Sequence, residues 1–163
     1  MYEHNVNFKS PIKLTISILL PLIVGFLGSI FTTASIPTWY VTLNKPFFSP
    51  PNWVFAPAWT ILYILMGIAF YLIWTKEKKI RKTKKAIILY LSQLIINFTW
   101  SIVFFGLQSP ILALINILAL WTLILYTIIE FRKHSKTASN LLIPYIAWVT
   151  FATILNISII LLD

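Results

Sequence analysis

Five long apolar stretches, each closed by polar residues or proline, set the pattern of this chain. They run over about residues 12–34, 52–74, 86–106, 110–130 and 140–162. Each matches the roughly 20 residues that a helix needs to cross the hydrocarbon of a bilayer. The pattern predicts an all-α membrane protein, a five-transmembrane-helix bundle forming one domain over residues 1–163. The first stretch holds Pro21, a kink that membrane helices tolerate when neighbours satisfy the freed carbonyl. Lys9, Lys13 and Thr32-Thr33-Ala34 resemble parts of a signal peptide, but the run exceeds a signal core of about 7–15 residues. A retained span is expected. Pro110 follows the short Leu107–Ser109 connection and opens the fourth span, where its missing N–H costs nothing.

The polar breaks differ in kind. Residues 1–11 are polar and read as disordered. Lys76–Lys85, KEKKIRKTKK, and the FRKHSK segment after Glu130 are basic. Residues 35–51 instead carry four prolines, and the surrounding Trp39–Tyr63 stretch holds three of the seven tryptophans. A loop this long is functional or disordered. Prolines narrow its unfolded ensemble and its aromatics give it something to bury. The reading is an ordered loop that forms the lid and upper wall of a ligand pocket.

Composition sharpens this picture. The 163 residues are 59% hydrophobic and 10% charged, against about 25% charged in soluble domains. Too few charges exist to cover a globule in water, so lipid is the solvent. The absence of cysteine excludes disulfides, iron–sulfur clusters and thiolate zinc sites. The net charge of +9 invites a nucleic-acid partner, yet seven of the 13 cations fall in Lys76–Lys85. A basic linker between spans is a topology signal facing anionic headgroups, and no nucleic-acid partner is expected. Twelve of the 13 cations lie on one side of five spans, with Lys45 alone on the other. An integral protein of the bacterial cytoplasmic membrane is expected, and that asymmetry predicts a cytoplasmic N-terminus. The C-terminus and the 35–51 loop then face outward.

Depth places polar groups under that loop. At about 1.5 Å per residue, Trp59 lies roughly 10 Å below the outer helix end, and Trp100, Asn116 and Asn156 roughly 9 Å. Asn97 and Ala152 fall near 15 Å. Helical spacing puts Asn97, Trp100, Ser101 and Phe104 on one face. It does the same for Tyr145, Trp148, Ala152 and Asn156, and for Trp59, Tyr63 and Phe70. Such faces are disfavoured against lipid tails and should turn inward. Two readings remain open for these residues, packing with interhelical hydrogen bonds or a pocket lining. Trp39, Trp53 and Trp74 sit at span ends and read as interfacial anchors, while Trp121 can face lipid.

The interiors of the spans hold no Asp, Glu, Lys, Arg or His, and His4 and His134 lie outside the apolar runs. Ion channels and proton-coupled pumps ordinarily need such groups in the membrane. No nucleophile–base pair, metal cluster or phosphate loop is visible, and no axial ligand for haem iron lies in the bundle. No metal and no obligatory cofactor are expected. A pocket of this kind holds a large flat apolar molecule by stacking and a few hydrogen bonds, and cannot perform ordinary acid–base chemistry.

At these residues the sequence resembles the translocator protein family, also called tryptophan-rich sensory protein (TspO) or peripheral benzodiazepine receptor. The matching pieces are Trp39-Tyr40, Leu43, Lys45-Pro46, Pro50-Pro51, and Pro57 with Trp59. They continue with Asn97 and Trp100-Ser101, then Pro144-Tyr145, Trp148 and Phe151-Ala152-Thr153. The resemblance implies a five-helix membrane protein, often a homodimer, that binds porphyrins such as protoporphyrin IX, sterols and benzodiazepine-type ligands. Carried over by position, it implies a pocket of Tyr40, Pro50, Trp59, Asn97, Trp100, Ser101, Trp148 and Ala152. Phe151 belongs to the matched fifth-span piece, and Tyr63 shares the Trp59 face. Phe104 and Asn116 join the set from face and depth.

Two departures stand out. The family's sterol motif needs a Tyr followed by Lys or Arg late in the fifth span, and Asn156–Asp163, NISIILLD, has neither. Ala86, Ser92 and Gly106 do not form a clean small-xxx-small dimer pattern. The function implied is a porphyrin-binding membrane receptor, acting as a sensor or as a transporter of its ligand. The alternative is an enzyme that degrades porphyrin by light and oxygen with Trp59, Trp100 or Trp148 as the reactive side chains.

Overall fold

The computed structural model describes residues 10–76 and 82–163. The polar N-terminal residues with His4, and the middle of the basic Lys76–Lys85 segment, lie outside the described residues. Six α-helices follow one another: α1 (Pro11–Ser35), α2 (Phe55–Trp74), α3 (Lys84–Ser101), α4 (Pro110–His134), α5 (Lys136–Leu141) and α6 (Ile143–Leu162). No strand occurs among the described residues. Joined to their flanking turns they make five spans of 23 to 27 residues. This is the five-helix membrane bundle that the apolar pattern predicts.

Local chemistry sets the ends. The Ser10 side chain accepts from the Lys13 N–H at 3.4 Å, and Pro11 occupies the first turn of α1, where a missing donor is harmless. The third span loosens at its end into a π-helical turn over Ile102–Gly106. There Leu107 N–H donates to the Ile102 carbonyl at 2.8 Å.

The fourth span differs from its expected end at Glu130. It continues to His134, and most of the basic FRKHSK segment is helical. Glu130 explains the extension: Lys133 Nζ donates to its carboxylate at 2.8 Å, with Lys85 Nζ at 3.6 Å. The chain then turns at Ser135, whose backbone is extended and whose hydroxyl accepts from Ala138 N–H at 3.2 Å to start α5. The fifth span therefore begins at Lys136 rather than near Asn140.

The spans form a ring. α1 packs against α2 and α3, α3 against α4, and α4 against α6, while α2 and α6 barely touch. At the basic end, near Lys85 and Glu130, the interior is filled by Met66, Phe70, Tyr90, Ile124 and Phe131. Phe70 and Tyr90 stack there with centroids 4.5 Å apart. A second, smaller cluster of Tyr40, Phe104, Leu155 and Ile159 closes the opposite, loop end. Ile12, Ile16, Ile23, Phe26 and Ile30 of α1 are exposed. Such a continuous apolar face marks a membrane-contacting surface.

Candidate ligand-binding site

Because α2 and α6 stand apart, the loop-end half of the ring encloses a cavity of about 450 Å³. Its residues come from α1, the 36–51 loop, α2, α3 and its π turn, and α6. α4 stands behind α3 and α6 and contributes none.

The floor is a chain of buried polar side chains. Tyr63 Oη donates to Asn97 Oδ1 at 2.8 Å, and Asn97 Nδ2 donates to Tyr145 Oη at 3.1 Å. Tyr145 Oη in turn donates to Gln93 Oε1 at 2.9 Å. Three helices are thereby fixed at one level, while Gln93 Nε2 is enclosed without a hydrogen-bond partner among the described residues. Trp59 lies on this floor, stacked on Tyr63 at 5.4 Å and edge-on to Tyr145 at 6.2 Å. Stacked and edge-to-face aromatic pairs contribute about 0.5–1.5 kcal/mol beyond area burial, so the Trp59 ring is held in place.

The walls are aromatic. Trp100 stacks on Phe104 at 5.1 Å, and Trp148 meets Phe55 edge-on at 6.1 Å. Trp100 Nε1 and Asn156 Oδ1 are enclosed without a hydrogen-bond partner among the described residues. Asn156 Nδ2 donates to the Pro110 carbonyl at 3.0 Å, which ties α6 to the start of α4 and fixes the amide orientation. No Asp, Glu, Lys, Arg or His occurs among the described lining residues.

The loop is ordered and forms the roof. Tyr40 is 4% exposed and packs on Phe104 and Phe105 at 6.3 and 5.7 Å. Burial holds its phenol above the ordinary tyrosine pKa, outweighing a hydrogen bond with Ser49; it stays neutral. Lys45 Nζ donates to the carbonyls of Tyr40 at 2.8 Å and Leu43 at 3.0 Å. Asn44 joins the loop to the end of α6, its Nδ2 donating to the Leu162 carbonyl at 3.2 Å. Phe48 rests against Phe151 at 6.4 Å.

Of the candidate residues, Tyr40, Trp59, Tyr63, Asn97, Trp100, Ser101, Phe104, Trp148 and Ala152 line the cavity. Pro50, Asn116 and Phe151 do not. Pro50 sits half-buried in the loop. Asn116, on α4, turns to α3, where its Nδ2 donates to Thr99 Oγ1 at 2.8 Å. Phe151 braces Trp148 at 5.7 Å and receives the loop. Trp121 bridges helices, its Nε1 donating to Thr150 Oγ1 at 2.8 Å. Trp39 packs beneath the loop on Phe104 at 5.5 Å, whereas Trp53 is 73% exposed, as an interfacial anchor should be.

The reading from sequence missed α1. Gly25, Ser29, Thr32 and Ile36 line the cavity. The i, i+4, i+7 spacing of small or polar side chains at Gly25, Ser29 and Thr32 was the available signal. Asn52, Phe55 and Thr60 of the second span also line it.

Fold and cavity together define a membrane-embedded helical bundle built around an uncharged aromatic chamber. The chain belongs to the TspO/MBR family, whose model matches residues 17–162. It is similar to the tryptophan-rich protein TspO of Archaeoglobus fulgidus, 48% identical over 156 residues, 93% of this chain and 97% of that one. It is also similar to the human translocator protein, 37% identical over 141 residues, 85% of this chain and 82% of that protein. The tryptophan-rich sensory protein of Cereibacter sphaeroides is 37% identical over 118 residues, 72% of each chain. The protein is thus an integral membrane protein of a translocator and sensor family.

Proposed function

We propose that this protein is a membrane receptor or sensor that binds protoporphyrin IX, and other flat hydrophobic molecules, in the cavity beneath the 36–51 loop. The observation that carries the reading is the meeting of Trp59, Trp100 and Trp148, from three helices, around one chamber without fixed charge. A volume of about 450 Å³ falls within the roughly 300–1,000 Å³ of small-molecule sites. Large π faces recognise a flat ring system by stacking. The lining offers no cation to a carboxylate among the described residues, so the two propionates of the porphyrin point toward the loop end. The cation asymmetry supports a loop that faces outward from a cytoplasmic membrane.

Titration of purified protein with protoporphyrin IX, followed by the porphyrin's own absorption, tests this. Truncating an aromatic platform under a planar ring costs about 1–3 kcal/mol. Trp59→Ala and Trp148→Ala are each expected to weaken binding about fivefold to 150-fold, with helicity by circular dichroism unchanged. Unaltered affinity in both variants would refute the site.

A second reading is favoured by the same three indoles, which are oxidisable and surround the place a bound porphyrin would occupy. Under light and oxygen, porphyrin absorption would then decay faster with the unmodified protein than with a Trp100→Phe, Trp148→Phe variant. Equal decay leaves binding alone.

A further inference from the structure

We propose that ligand reaches the cavity sideways from the bilayer, through a slot between the loop-end halves of α1 and α2, and not through the roof. The inference rests on the reading of the cavity as a ligand site. Six residues line the cavity and are at the same time exposed on the outside of the bundle: Phe26, Ser29 and Thr33 on α1, Asn52 just before α2, and Ala56 and Thr60 on α2. Phe26 is 70% exposed. At 100° per residue the three α1 residues share one edge of their helix, and the two α2 residues share the facing edge of theirs. The chamber therefore communicates with the surface along this line.

The lower end of the slot is closed by contact. A Cβ on Gly25 would lie 2.1 Å from the Tyr63 ring, and one on Gly67 would lie 2.6 Å from the Ile18 Cα. α1 and α2 thus press together from Gly67 up to Gly25 and separate above it. From Gly25 to the end of α1 the rise is about 15 Å, half of the roughly 30 Å hydrocarbon layer. The slot opens one leaflet, from mid-bilayer to the interface.

Its rim suits lipid. Ser29 Oγ donates to the Phe26 carbonyl at 2.7 Å, and Thr60 Oγ1 to the Ala56 carbonyl at 2.8 Å. These two rim hydroxyls are satisfied within their own helices and need no water. The roof is fastened by Lys45, Asn44 and Phe48. A flat amphipathic molecule lying in the leaflet can slide in edge-on while its charged groups stay among the headgroups. Entry through the roof would break those fastenings and carry an apolar ring through water.

The chain has no cysteine, so a Ser29→Cys, Thr60→Cys variant can be bridged selectively across the slot with a short bis-methanethiosulfonate, the bridged fraction being read by mass. Protoporphyrin IX exchange with phosphatidylcholine vesicles is then followed by stopped-flow tryptophan quenching. Bridging the empty protein is expected to slow uptake at least tenfold. Bridging after loading is expected to slow release at least tenfold, trapping the porphyrin, and reduction of the bridge restores both rates. Retention of the trapped ligand shows that the site itself is intact. Exchange unchanged by the bridge, with faster exchange when Asn44→Ala unfastens the roof, would overturn the portal. Failure of the unmodified protein to bind porphyrin at all would instead refute the function reading.

Discussion

Gly67→Ala is expected to be among the most damaging single-methyl additions in this protein. The new Cβ would meet the Ile18 Cα at 2.6 Å and the Ser17 carbonyl oxygen at 2.7 Å. Both are backbone atoms, so no side chain can rotate away, and α1 must lift from α2. Overpacking ordinarily costs about 1–3 kcal/mol, and a backbone collision lies at the upper end. Gly28→Ala is the matched control: its Cβ would meet side-chain atoms alone, Ser101 Oγ at 3.1 Å, Ser101 Cβ at 3.4 Å and Phe98 Cδ2 at 3.9 Å, which side-chain adjustment accommodates. Thermal unfolding in detergent should show a midpoint several degrees lower for Gly67→Ala and little change for Gly28→Ala. Equal midpoints would mean that α1 and α2 are not locked at this point. The slot would then lose its fixed lower end.

Asn97→Leu should empty the floor of its organisation. Asn97 accepts from Tyr63 and donates to Tyr145, so leucine leaves the buried Tyr63 hydroxyl without its acceptor and removes one partner of Tyr145. Interhelical hydrogen bonds in membranes contribute about 0.6–2 kcal/mol each, and an unsatisfied buried group costs about 1–3 kcal/mol. The expected loss of stability is about 2–4 kcal/mol. Because Trp59 stacks on Tyr63, freeing that ring also loosens the ligand platform, and porphyrin affinity should fall at least tenfold. A Tyr63→Phe variant separates the two effects. It removes the hydroxyl and leaves only Asn97 Oδ1 without its donor, while Asn97 still donates to Tyr145, so it should cost less stability and keep most of the affinity. Asn97→Leu and Tyr63→Phe of equal stability would show that the chain of hydrogen bonds does not carry the floor.

Much of this was legible in the sequence, for identifiable reasons. Apolar runs near the length of a bilayer crossing set the spans, and the i, i+3, i+4 faces of Asn97 and Trp100 on α3 and of Trp148 and Ala152 on α6 converge as spacing predicts. Depth alone misled at Asn116. It lies at the level of Trp100, but its helix stands in the second rank, and depth carries no information about azimuth. Its side chain serves as an interhelical tie to Thr99. Phe151 is adjacent in sequence to Ala152, so a 100° step turns it from the chamber to the loop. The contribution of α1 was hidden because Gly25 and Ser29 are small. A small side chain lets another ring fill the space, and hydropathy registers only a long oily run. The extension of α4 to His134 was concealed by its charges, which read as a connection until Glu130 is seen to pair with Lys133 and Lys85.

On this reading a planar hydrophobic ligand occupies the chamber between α2 and α6. A structure of the protein with protoporphyrin IX tests it most directly. The ring is expected among Trp59, Trp100 and Trp148, beneath Tyr40, with its propionates toward the loop end. Porphyrin seated instead in the wholly apolar groove of Leu20, Leu27, Leu94 and Phe98 on the lipid-facing side of α1 and α3, with the chamber empty, would contradict it.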